Sequence, residues 1–210
     1  MKKIVTSVLA LLALLQVGAQ TLDGSLRETY ARFTSARNEG ELMEAANRFA
    51  LIAGHWSQEW AANYYAAYAK AYLSQQETDP QRRDALLDEA DGFASRMNAL
   101  NATSDESLVL SAYIAYARMI VDPSNRWKTY LGIFNTDLAK AKQANPDNPR
   151  IYYLEGIPLF FKPKAYGGGP GKAKPDFEKA QTLFARQDTT SILMPYWGAS
   201  DNQQYLSKCN

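Results

Sequence analysis

Trp60, Tyr64, Tyr68 and Tyr72 recur at every fourth position of "WAANYYAAYAKAYL", a stretch whose other places are filled largely by alanine. Residues four apart share one face of a helix, so the rings stand in a row and methyl-sized side chains occupy the remaining sides. Burying one such ring stabilises the fold by about 2–3 kcal/mol, at about 25 cal/mol per Å². Alanine leaves a hollow into which a ring of a neighbouring helix can set. The pattern demands helices stacked against helices, with the tyrosine-rich segments in the core.

The stretch has copies. "LVLSAYIAYARMIV" from Leu108 aligns with it, placing Tyr65 on Tyr113, Tyr68 on Tyr116 and Lys70 on Arg118. A third version, "IYYLEGIPLFF" from Ile151, keeps the aromatic pair and follows it with a small residue, Gly156. Each copy precedes a turn and a second amphipathic segment, so the unit is a helical hairpin recurring about every 40–48 residues. Punctuation agrees. Asp79-Pro80, Asp122-Pro123 and Asn148-Pro149 each set an N-cap residue before a proline at the first helical position. Thr103 to Glu106 has capping-box spacing. Helices are expected at about 23–37, 40–54, 57–75, 80–100, 104–121, 123–144, 149–161, 174–187 and 198–207, and no alternating stretch argues for a strand. The fold class is all-α.

"AKAKQANPDNPRIYYLEG" (Ala139 to Gly156) resembles the junction of two tetratricopeptide repeats, and "KAKPDFEKAQTLF" is similar to a second helix of such a repeat, with Phe177 and Ala180 at packing positions. "MPYWGASDNQQYL" looks like a truncated first helix built around Pro195, Trp197 and Gly198. With the triple-glycine turn, the chain resembles the exported TPR-like proteins common in Bacteroidota. That resemblance implies a right-handed α-α superhelix of about eight or nine helices, an α-solenoid, and carries no assigned activity. The repeats here are longer than the usual 34 residues of that family.

The beginning of the chain reads as an address. Lys2 and Lys3 precede an apolar run from Ile4 to Val17, and Val17-Gly18-Ala19 places small residues for a cut between Ala19 and Gln20. The run is short for a transmembrane helix, although an uncleaved anchor is the competing reading. No cysteine follows it, which argues against a lipid anchor. Residues 1–19 are thus expected to be a signal peptide and 20–210 one helical-repeat domain, periplasmic or secreted. Without Lys2 and Lys3 the net charge moves from +1 to −1, so nothing points to nucleic acid or to stable membrane insertion. Cys209, the one cysteine, cannot form an internal disulfide; it either pairs between molecules or lies inert in the tail.

Chemistry is scarce. His55 is the only histidine, which excludes a paired-histidine zinc site, and at a helix end it complements the helix dipole. Asp84, Asp88 and Asp91 follow helical spacing and read as a solvent-facing row. No carboxylate pair is singled out for acid–base work. The "GGGPGK" segment fails as a P-loop, since Tyr166 stands where glycine is needed and Ala173 where serine or threonine is needed. It reads as a joint, with Pro175 in the first turn of the next helix. A weaker alternative is an anion site formed by Lys162, Lys164, Lys172 and Lys174 at a helix N-terminus, with Glu155 paired to one of them. The residues argue against an enzyme and call for no cofactor and no metal. The expected function is a non-enzymatic interaction module whose concave face holds another envelope protein or a peptide. The alternative is a small-molecule or glycan-binding accessory protein with a tyrosine-lined groove. The binding residues expected are Tyr65, Tyr113 and Tyr152 on the concave face, with Glu155, Tyr166 and Lys172 near the glycine turn.

Overall fold

A computed structural model describes residues 21–101 and 103–209. The expected signal peptide and its cleavage point lie outside the described residues. Among these residues there are nine α-helices and no strand: α1 (Leu22–Ser35), α2 (Glu39–His55), α3 (Trp60–Gln76), α4 (Pro80–Asn101), α5 (Asp105–Met119), α6 (Pro123–Ala144), α7 (Pro149–Phe161), α8 (Pro170–Phe184) and α9 (Ala199–Ser207). A 3-10 turn, Lys164–Tyr166, sits between α7 and α8. No helix among the described residues is long and apolar enough to cross a membrane.

Local chemistry explains the boundaries. Asp79, Asp122 and Asn148 accept hydrogen bonds from the backbone N–H groups of Arg82, Asn125 and Arg150 respectively, and so satisfy donors that a helix start leaves unpaired. Asn38 caps α2 through the Glu41 N–H, and the Glu41 carboxylate reaches back to the Arg37 N–H at 2.8 Å. At α5 the cap is Ser104, one residue later than the Thr103 expected, and it accepts from Ser107. Glu106 is consequently freed from a capping role and turns into the core. Pro170, not Pro175, occupies the first position of α8, and Pro175 lies inside that helix. The chain reverses before it through Gly167 and Gly169, whose φ angles of 80° and 101° lie where a side chain is strained.

Consecutive helices pack as antiparallel hairpins in an α-solenoid. The odd-numbered helices α1, α3, α5 and α7 also touch their next odd neighbours and form one continuous layer. That layer is the core. Thirteen of the 17 residues of α3 are buried, including Tyr64, Tyr65 and Tyr68. Rings do set into hollows: Phe177 of α8 lies against Gly156 of α7 so closely that a Cβ there would come within 2.6 Å of it.

Several charges that face inward are paired. Lys70 of α3 reaches Glu89 at 2.7 Å and Asn47 at 2.9 Å. Its repeat equivalent, Arg118 of α5, bonds to Asp84, Asp88 and Asp91 of α4, while Arg126 makes a two-pronged bond to Asp84. The aspartate row is therefore more than a solvent-facing stripe, because it neutralises an otherwise buried guanidinium. These bonds, with that of Arg126 first, hold the Asp84 carboxyl below the usual carboxylate range.

Candidate functional site

Between α8 and α9 the chain runs without helix, and residues 188–198 cross the odd-numbered layer as a strap. Pro195, Trp197 and Gly198 belong to this strap and not to a truncated helix, because α9 begins only at Ala199. Trp197 is the anchor. Its ring stacks on Tyr68 of α3 at 4.7 Å, tilts on Tyr113 of α5 at 5.3 Å and meets Tyr153 of α7 edge-on at 6.3 Å. Its indole N–H donates to the Tyr64 hydroxyl at 2.7 Å. Its carbonyl accepts from Arg150 at 3.2 Å, and Gln187 ties down the strap further through the Pro195 carbonyl.

Arg150 is held by Glu106, with both side chains almost wholly buried. Glu106 also accepts from Asn148 at 2.8 Å and from the Tyr64 hydroxyl at 3.2 Å. A buried ion pair persists only when its remaining polar atoms are satisfied, and this one meets that condition. Burial alone would lower the Arg150 pKa, but the Glu106 charge and hydrogen bonds raise it overall, so the guanidinium stays charged.

Beside this sealed cluster the inner face opens. A cavity of about 700 Å³ lies between α1, α3 and α9, within the range of small-ligand sites. Its aromatic wall is Tyr30 and Phe33 of α1, Tyr68 and Tyr72 of α3, and Tyr196 of the strap. Tyr196 meets Tyr30 edge-on at 5.2 Å, and Phe33 meets Tyr72 edge-on at 5.3 Å. Burial raises the Tyr72 phenol above its ordinary pKa, so it remains a protonated hydrogen-bond donor. Asp201 of α9 enters the same wall, and burial pushes its carboxyl up as well. Among the described residues, the lining includes phenols, amides and carboxylates but no histidine, cysteine or methionine. His55 stands exposed at the end of α2, against Trp56.

The residues singled out from the sequence fall in three places. Tyr65 and Tyr113 are buried behind the aromatic wall, Tyr113 directly under Trp197. Tyr65 stacks on Phe49 at 5.5 Å, and its hydroxyl has no hydrogen-bond partner among the described residues. Tyr152 and Glu155 face α6. The Tyr152 ring lies under Lys142, and Glu155 pairs with Lys142 at 2.9 Å, not with a lysine of the glycine turn. The α6–α7 hairpin brings Lys142 to Glu155 first. Tyr166 and Lys172 are exposed around the turn. Sequence reasoning missed Tyr30, Phe33, Tyr196 and Asp201. "PYWG" was the available signal for the strap, since a proline and a glycine bracketing two aromatics suit an extended segment better than a helix.

No family model matches the chain, and neither does any curated protein. A solved structure does: the HusA haemophore from Porphyromonas gingivalis superposes with a TM-score of 0.77 at 32% identity, over 93% of this chain and 94% of that one. With that identity sustained over nearly the full length of both, this chain belongs to the family of the HusA haemophore.

Proposed function

We propose that this protein is an exported tetrapyrrole-binding protein that holds haem or a related porphyrin in the groove between α1, α3 and α9. The observation that carries the reading is the aromatic cavity itself, found in a chain related to a protein described as a haemophore. A flat macrocycle suits walls made of tyrosine and phenylalanine rings, each contact contributing about 0.5–1.5 kcal/mol beyond simple burial. The strap supports this small-molecule reading over a scaffold for a partner chain, because it occupies the centre of the inner face where an extended peptide would lie. The tetratricopeptide-like character of the hairpins, export through residues 1–19 and the absence of a catalytic role belong to the same proposal.

Binding would rest on stacking and burial more than on iron ligation. The groove has no histidine, and the phenol of Tyr72 is held in its protonated form, which is the weaker metal ligand. Titration of the protein with haemin and with metal-free protoporphyrin, followed by Soret absorbance and tyrosine quenching, is the test. Both should bind within about tenfold of each other, since neither stacking nor apolar burial requires the metal. Tyr72→Ala should weaken both by about tenfold, the equivalent of one lost ring contact. Absence of saturable binding by either porphyrin would overturn the proposal.

A further inference from the structure

We propose that Asp201 sets the charge specificity of the groove, accepting the apolar edge of a tetrapyrrole against α9 and keeping carboxylate-bearing edges in solvent. The inference rests on the porphyrin reading above and concerns how that ligand is selected and oriented.

Asp201 lies in the first turn of α9 and lines the groove. An acid in a first helical turn is ordinary, because it meets the positive end of the helix dipole. Like Asp137 and Asp176 it is partly buried and forms neither a hydrogen bond nor an ion pair among the described residues, and of the three it is the one that lines the groove. Glu106 and Asp84 behave differently: Glu106 has Arg150, Asn148 and Tyr64, and Asp84 has two arginines.

The titratable groups around Asp201 are phenols. They are Tyr30 from α1, Tyr68 and Tyr72 from α3, Tyr113 from α5, Tyr153 from α7 and Tyr205 from α9 itself. From α2 the charged group on the cavity wall is Glu39, a second acid, and no lysine or arginine among the described residues lines the cavity. An anion in such a wall is weakly screened, and it repels a ligand carboxylate more strongly than a surface charge would. Burial also keeps Asp201 protonated to higher pH than an ordinary aspartate, so the repulsion grows as pH rises past that point and fades below it.

The test uses the mature chain and three free-base porphyrins carrying two, four and eight carboxylates, titrated against wild type and Asp201→Asn at pH 8. The quantity read is the ratio of wild-type to variant Kd for each ligand. The ratio should rise with carboxylate number, to about tenfold for the tetracarboxylate at pH 8. Asp201→Ser, which keeps a polar first turn, should reproduce the effect if the Asn variant folds poorly. Ratios near one for every ligand would overturn the role of Asp201 while leaving porphyrin binding intact. Weaker binding of all three ligands by the variant would also overturn it, since Asp201 would then be an attractive contact. Failure of wild type to bind any of the three would remove this proposal together with the reading beneath it.

Discussion

Around Trp197, tyrosines of α3, α5 and α7 are closed off from water. Around Tyr72, tyrosines of α1, α3 and the strap border a cavity. The residue type is the same and the helices partly coincide; Tyr68 belongs to both regions, stacking on Trp197 and lining the groove. What differs is whether the strap supplies a ring that fills the space between helices. Acids follow the same division. Glu106 in the closed region is saturated with donors, whereas Asp201 at the open one has none among the described residues. A tyrosine-rich inner face is thus neither core nor binding surface by composition. A segment distant in sequence assigns each part.

The contrast can be broken at its centre. Trp197→Ala should remove the filling ring, its bond to Tyr64 and the packing of three tyrosines, costing about 3–5 kcal/mol in denaturant unfolding. A loss below 1 kcal/mol would mean that the strap is an ornament and the two regions are alike. Glu106→Gln should cost a similar amount, about 3–5 kcal/mol, because it leaves the Arg150 charge buried without its partner. The contact between Gly156 and Phe177, outside both regions, should respond less. Gly156→Ala forces a methyl group into Phe177 and is expected to cost about 1–3 kcal/mol, measured in the same unfolding experiment.

The smallest expected effects are in pH dependence, and they have opposite signs. The folded-state pKa of Asp201 is raised, so between the ordinary aspartate value and that raised value the folded chain binds a proton the unfolded chain has released. Stability therefore falls as pH rises through that window, and Asp201→Asn should abolish the fall. The folded-state pKa of Asp84 is lowered by the bond from Arg126, so its contribution is present above the ordinary value and is lost as pH drops below it. Melting temperatures of Asp201→Asn and Asp84→Asn across pH 3–7, each against wild type, should diverge in opposite directions. Parallel curves would refute the distinction between the two acids.

The helices were legible because their signals are local. A capping side chain and a proline act within four residues, and α4, α6 and α7 begin at the prolines that mark them. The all-α class followed from the tyrosine and alanine spacing for the same reason. The site was hidden because α3 is buried on almost every side, so periodicity does not tell which ring faces a cavity and which faces a neighbour. Tyr65 and Tyr113 were reasonable choices that lie one layer too deep. Glu106 was read as a cap because its partner Arg150 is 44 residues away. Asp201 carries no sequence signal beyond a helix start, and its character comes entirely from what surrounds it.

The bonds around Trp197 also carry a consequence for timing. Its indole reaches Tyr64, 133 positions earlier in the chain, and Tyr64, Glu106 and Arg150 lead back to its own carbonyl. A circuit that spans such separations closes late, after the loop entropy has been overcome. Without the strap in place, the rings of Tyr68, Tyr113 and Tyr153 lack the side chain that fills the space between them. Docking of the strap is therefore the step that completes the interior, and chains in which it has not docked are the ones expected to clump.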